Sequence, residues 1–204
     1  AQFHKAFEIP IQKNSDRAKA ITLKKLVEPF ILRRVKTDKS IIKDLPDKVE
    51  QKVYCNLTPE QASLYEAVVK DVEQQIEEKS GIERKGLILS TLMKLKQICN
   101  HPRQFLQDES EFTSNRSHKL SRLQEMIEEI QAEGESLLIF TQFREIGDAL
   151  QNHFRHNYHY PTYYIHGGTS RKNRDEMITE FQEPDTPPAV FILSLKAGGV
   201  GITL

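Results

Sequence analysis

The sequence has no net charge, no long apolar run and almost no cysteine, and each deficit closes off a class of protein. Among 204 residues, 29 Lys and Arg balance 29 Asp and Glu, so whole-chain charge gives no pull toward a polyanion. No stretch approaches the roughly 18 uninterrupted apolar residues of a spanning helix. The opening AQFHKAFEIP also lacks a charged-then-apolar signal pattern. Two cysteines, Cys55 and Cys99, are too few for the disulfide framework of a secreted domain. Packed, reduced thiols in an intracellular chain are expected. Internal repeats and low-complexity tracts are missing as well. What remains, 38% hydrophobic and 28% charged, is ordinary globular composition with room for one large domain or two small ones.

The balanced charge is unevenly placed. Residues 1–57 hold 13 basic and 7 acidic residues, residues 58–118 hold 8 and 10, and residues 119–204 hold 8 and 12. Any polyanion site must therefore be local. Periodicity divides the chain into two regimes. The first is helical: Ala18, Ile21 and Val27 form an amphipathic run ending near Pro29. A second helix opens at Thr58, where Thr58, Pro59 and Gln61 supply a hydroxyl cap, a proline at the first helical position and a capping-box partner. Leu64, Val68, Val72 and Ile76 follow at helical spacing, and Leu89, Leu92, Leu95 and Ile98 mark a third helix that stops at Asn100-His101-Pro102.

After a polar stretch at 107–117, helix and strand alternate. Leu120, Leu123, Ile127 and Ile130 share one helical face. Strands are expected at 136–140, 162–165 and 189–195, with helices at 145–154 and 170–181 between them. Strands joined by crossover helices imply right-handed βαβ units in a parallel sheet covered on both faces, with ligands beyond the carboxyl ends of the strands. Three segments leave those ends: Thr141-Gln142, His166-Gly167-Gly168-Thr169, and Lys196-Ala197-Gly198-Gly199-Val200-Gly201. Glycines let backbone amides approach an anion, and Thr169 can cap the helix that follows. Each segment alone reads more readily as a tight turn, but three converging on one edge suit phosphate.

Further absences narrow the chemistry. There is no GxxxxGK[ST] loop for a triphosphate and no acidic strand-end motif for magnesium, so these residues are not expected to hydrolyse a nucleotide alone. Gly201-Ile202-Thr203-Leu204 follow the last glycine turn directly, where a doubly wound domain continues with further strands. An incomplete lobe is the expectation.

The strings themselves resemble a family, the Swi/Snf-type helicase-like ATPases, DNA translocases built from two RecA-like lobes. Pro29-Phe30-Ile31-Leu32-Arg33-Arg34 with Lys36, Leu45-Pro46-Asp47-Lys48-Val49-Glu50, and Leu57-Thr58-Pro59-Glu60-Gln61 with Tyr65 are similar to the family's segment joining the lobes. Leu95-Lys96-Gln97-Ile98-Cys99-Asn100-His101-Pro102 is similar to its helical insertion. Leu138-Ile139-Phe140-Thr141-Gln142-Phe143 resembles helicase motif IV, and His166-Gly167-Gly168-Thr169 with Arg174 and Phe181 the motif after it. The segment 193–202 resembles motif V. The order of these strings makes the resemblance specific over nearly the whole chain.

The resemblance implies an α/β fold: a linker and helical insertion at 1–116, then an incomplete RecA-like, P-loop-NTPase-type parallel sheet at 117–204. It implies a parent protein that is a DNA-dependent ATPase translocating on double-stranded DNA. ATP and Mg2+ would be bound mainly by an N-terminal RecA-like lobe, and motif VI arginines are absent from this chain. By position, Gly198, Gly199 and Gly201 correspond to the turn linking the nucleotide cleft to DNA. Thr141, Gln142, Gly168, Thr169, Ser194 and Lys196 correspond to contacts with one strand's backbone, which carry no sequence information. Arg33, Arg34 and Lys36 could touch DNA or brace the lobes through carboxylates. No catalytic set is complete, and the fragment itself needs no cofactor. The implied partners are duplex DNA, the first lobe, and nucleoprotein or transcription machinery, with no membrane. The implied place is the nucleus in a eukaryote, or the cytoplasm, associated with the nucleoid, in a prokaryote.

Other readings stay open on the residues alone: a Rossmann-type nucleotide-binding domain, which lacks GxGxxG here, and a non-catalytic interaction module. His153, His156 and His159 rotate off one helical face and read as a solvated helix end more readily than a metal site. Cys99, beside Leu92 and Leu95, reads as core. Glu125, Glu128, Glu129 and Glu133 read as the wet face of a helix.

Overall fold

A computed structural model describes residues 2–31 and 48–198. The chain divides into two compact units, residues 1–52 and 53–204. In the first, a π-helical stretch His4–Glu8 runs into α1 (Ile9–Asn14), which ends at Ser15 in the left-handed conformation, φ 52°. Asp16 then caps α2 (Arg17–Val27) by accepting from the Lys19 amide at 3.0 Å. Pro29 follows directly in a single 3-10 turn, Glu28–Phe30.

The second unit begins its regular structure at the expected cap. The Thr58 hydroxyl accepts from the Gln61 amide at 3.2 Å, and the Gln61 side chain accepts from the Thr58 amide at 3.0 Å, starting α3 (Pro59–Ile76). The same Gln61 amide group donates to the Ile98 carbonyl at 2.7 Å, tying α3 to the last turn of α4 (Gly81–Asn100). α4 stops where Pro102 forbids its continuation. His101, fully buried, caps the short α5 (Pro102–Leu106) through Nδ1, while Nε2 meets the Thr113 carbonyl at 3.0 Å. A bidentate pair between Arg116 and Glu60, 3.0 and 2.6 Å, fastens the start of α3 to the segment leading into α6 (His118–Ala132).

Three strands follow: β1 (Leu137–Thr141), β2 (Thr162–Ile165) and β3 (Val190–Ser194). They alternate with α7 (Arg144–Asn157) and α8 (Arg171–Gln182), and a final helical turn, α9, spans Leu195–Gly198. All pairings are parallel in the order β1-β3-β2, with Thr141 opposite Ser194 and Ile165 opposite Leu193. On one face, Tyr164, Val190 and Ile192 pack with Leu120, Ile127, Leu150 and Phe154 of α6 and α7. On the other, Tyr163, Ile165, Phe191 and Leu193 pack under Met177, Ile178 and Phe181 of α8.

The parallel sheet with crossover helices is the one expected, but several details differ. β1 lies at the sheet edge and only one of its faces is covered among the described residues: Leu138 and Phe140 are 43% and 53% exposed. The sheet is thus covered on both faces only at β2 and β3. α4 is less buried than its apolar spacing suggested, because Leu89 and Leu92 face outward. Cys99 is half-buried and Cys55 is exposed, so only Cys99 comes near the packed thiol expected. Glu125, Glu128, Glu129 and Glu133 are exposed, as expected. His153 is not on a solvated helix end. It is buried in an aromatic cluster with Phe112, Phe154 and Tyr158, and its two ring nitrogens meet the Gln124 and Asn157 amides at 2.8 and 3.0 Å. Among the described residues, no group of three His, Cys, Asp or Glu could hold a metal ion.

Candidate nucleic-acid interface

The parallel register brings the carboxyl ends of β1, β3 and β2 side by side on one edge. At the end of β1, Thr141 is buried, and its hydroxyl closes a small turn on the backbone N–H and C=O of Phe143, both at 3.3 Å. Gln142, next in the chain, is exposed and reaches across to α4. Its carbonyl oxygen accepts from Lys96 Nζ at 3.4 Å, and its amide donates to Met93 Sδ at 3.8 Å. α7 starts immediately after, with no side-chain cap on its first amides.

At the end of β2, residues 166–169 form a closed turn. The Thr169 amide donates to the His166 carbonyl, and the His166 amide to the Thr169 hydroxyl, both at 3.0 Å. Thr169 is therefore committed to the turn, and it is Ser170 that caps α8, accepting from the Asn173 amide at 3.2 Å. Arg174 braces the turn by donating to the carbonyls of Thr169 and His166, each at 3.1 Å. Gly168 is exposed at the apex and its amide donates to His166 Nδ1 at 3.0 Å. A Cβ on Gly168 would lie 3.0 Å from the His166 ring and 3.9 Å from Arg144 Nη1, which places the Arg144 guanidinium beside this turn.

At the end of β3, the Ser194 hydroxyl accepts from the Ala197 amide at 3.3 Å and starts α9. The chain thus leaves β3 as a helical turn before the glycines, and Lys196 stands exposed on that turn with no carboxylate partner among the described residues. Gly198 is the last residue of α9. Gly199, Gly201, Arg33, Arg34 and Lys36 lie outside the described residues.

Thr141, Gln142, Gly168, Thr169, Ser194 and Lys196 therefore share one edge, although the hydroxyls of Thr141, Thr169 and Ser194 each satisfy local backbone groups. Two cations at this edge were not singled out from the sequence as site residues. Lys96 arrives from α4, 46 positions before its partner Gln142. Arg144 opens α7, and its adjacency to the 141–143 segment was the one available signal. The Arg144 backbone is anchored from below. Tyr164 Oη donates to its carbonyl at 3.1 Å, and burial, reinforced by the Asp148 charge, pushes the Tyr164 phenol up to about 12. The ring fits only because Gly147 has no Cβ; one would lie 2.2 Å from Tyr164 Cζ. Chemically, the edge offers the uncapped first amides of α7 and three exposed cations, Lys96, Arg144 and Lys196, an arrangement suited to holding an anion.

Residues 1–104 match the SNF2-related domain family and residues 118–204 the helicase conserved C-terminal domain family. YwqA of Bacillus subtilis, provisionally named an ATP-dependent helicase/translocase, is 41% identical over 99% of this chain. The transcription regulatory protein SNF2 of Saccharomyces cerevisiae is 33% identical over 89%. The solved SWI2/SNF2 ATPase core of Sulfolobus solfataricus in complex with dsDNA covers 95% of the chain at 44% identity, with a TM-score of 0.69. The chain spans 22% of YwqA, 11% of SNF2 and 40% of the Sulfolobus chain.

Proposed function

Because the chain belongs to the SNF2-related helicase family, we propose that it is the part of an ATP-dependent double-stranded DNA translocase that contributes backbone contacts to DNA and one wall of the ATP cleft. The convergence of three polar strand ends on one edge carries this reading. Thr141, Gln142, Gly168, Thr169, Ser194 and Lys196 face the phosphates of one strand, and the segment holding Gly198, Gly199 and Gly201 links that edge to the nucleotide. Residues 1–116 form the linker and helical insertion, and residues 117–204 the second lobe.

The residues of this chain do not by themselves fit a nucleoside triphosphate and its metal. They contain no GxxxxGK[ST] loop, and no described group of carboxylates could hold magnesium. ATP and Mg2+ are assigned to a first RecA-like lobe outside this sequence. The role left to this chain is positional: turn amides and cations fix the register of the duplex backbone. Such contacts make the motor tolerant of sequence.

ATP turnover with and without duplex DNA tests this reading, measured on a protein that carries both lobes and on the present chain. The two-lobed protein should hydrolyse ATP faster with duplex and the chain alone should not hydrolyse it. Hydrolysis indifferent to DNA would refute the translocase reading, and turnover by the chain alone would refute the division of labour.

A further inference from the structure

We propose that Lys96 and Arg144 complete, with Lys196, a row of three cations along the strand-end edge that takes successive phosphates of one DNA strand, and that Gln142 acts by holding Lys96 in that row. The proposal rests on the DNA reading above and extends it to two residues that the sequence motifs did not assign.

Three observations carry it. Lys96 is exposed on α4, pairs with no carboxylate among the described residues, and has its ammonium 3.4 Å from the Gln142 carbonyl oxygen, at the end of β1. Lys196 is exposed and equally unpaired at the end of β3. Arg144 Nη1 lies beside Gly168 at the turn leaving β2, and its side chain is 67% exposed, with only a long 3.7 Å approach of Nε to Asp148. The row follows the strand order β1-β3-β2. Neighbouring strands lie about 4.8 Å apart, so three strand ends cover about 10 Å. A DNA strand rises about 3.4 Å of helix axis per phosphate, and because its backbone winds around that axis the phosphates themselves stand further apart, so the row faces about two to three neighbouring phosphates.

Charge distribution supports the same conclusion. Residues 119–204 are net acidic, 12 against 8, so the net charge of the sheet segment itself gives no pull on a polyanion, and exposed cations on the edge must supply the contact. A lysine with a free carboxylate in reach would normally pair with it. Lys96 is instead directed by a neutral amide, which aligns the ammonium without cancelling its charge. Gln142 is thereby a positioning residue: its two amide atoms bind Met93 and Lys96 of α4, so the helical insertion shares the edge with the sheet.

The test is the salt dependence of duplex binding by the full chain, read by fluorescence anisotropy on two unrelated sequences. Lys96→Ala, Arg144→Ala and Lys196→Ala should each weaken both duplexes alike and each lower the slope of log affinity against log salt by about 0.9. Lys96→Arg should restore the slope. Lys70→Ala, which removes a cation paired with Glu66 on α3, should leave it unchanged. Gln142→Ala should weaken binding in wild type but add little to Lys96→Ala. All these side chains are exposed, and matching thermal melts confirm that the variants fold. If Lys196→Ala lowers the slope while Lys96→Ala and Arg144→Ala do not, the cation row is wrong and the DNA reading stands. If the wild-type chain binds neither duplex in low salt, both fall.

Discussion

Gly147→Ala should unfold this chain more easily, although alanine is the better helix former. Position 147 lies inside α7 with Tyr164 directly against it. An added Cβ would sit 2.2 Å from Cζ, 2.4 Å from the hydroxyl and 2.6 Å from Cε2 of that ring. Comfortable carbon contacts start near 3.5 Å, so the ring would have to retreat by more than about 1 Å. Tyr164 is only 3% exposed and is wedged among Leu150, Phe154, Val190 and Ile192. Overpacking of this kind costs about 1–3 kcal/mol. Displacing the hydroxyl from the Arg144 carbonyl costs about another 1 kcal/mol. The helix propensity of alanine returns about 1 kcal/mol. The net expectation is about 1–3 kcal/mol of destabilisation, a fall in melting temperature of about 3–10 °C for a chain of this size. Gly86→Ala is the control: in exposed α4, with nothing within 4 Å of the new methyl, it should stabilise by up to about 1 kcal/mol. Urea denaturation of both variants, and of Gly147→Ala in a Tyr164→Leu background where the clash is relieved, would measure the coupling. Gly147→Ala as stable as wild type, or equally costly without the Tyr164 ring, would refute the close approach.

Gln61→Leu should cost about 2–4 kcal/mol by chemical denaturation, because it strips partners from the Thr58 amide and the Ile98 carbonyl at once; a loss no larger than that of a surface substitution would show that α3 and α4 are not joined there. Burial lowers the basicity of His101 and His153 in the folded chain. The unfolded chain therefore binds more protons below the ordinary imidazole pKa of about 6.5. Stability from these two groups is complete above that point and is lost as pH falls toward their folded values. His153→Leu should flatten the decline in urea midpoint between about pH 7 and about pH 5. An unchanged decline would mean that carboxylates such as Glu60, not buried imidazole, govern the acid limb.

Local signals made much of the fold legible. The capping box at Thr58, the stop at Pro102 and the three strands are written in spacings of a few residues, and the structure realises them within a residue or two. The features that escaped are set by distant pairs. Nothing near position 96 announces that α4 passes the end of β1, and nothing near 147 announces the ring of Tyr164. His153 has polar neighbours in sequence, His156 and Asn157, yet α6 and the segment holding Phe112 close over it. The reading of 153, 156 and 159 as a solvated helix end also assumed a helix continuous through all three. α7 ends at Asn157, and His159 adopts φ 57° outside it. The turn after β3 looked glycine-governed because its glycines stand out, but Ser194 winds the chain into a helix first.

The sheet order also has a temporal meaning. Among the described residues, β1 and β2 share no hydrogen bonds; each is bonded only to β3, the last of the three described strands in sequence order. On the ribosome, β1 therefore emerges roughly 50 residues and β2 roughly 25 residues ahead of β3, which leaves their backbone groups unpaired for on the order of 2–10 s and 1–5 s at typical synthesis rates. The sheet then closes in one step around its central strand, so amide exchange at Leu137–Thr141 and Thr162–Ile165 should slow together when β3 docks and quicken together when it leaves. For the edge built from these three strand ends, that single keystone means the two outer ends cannot loosen independently of the middle.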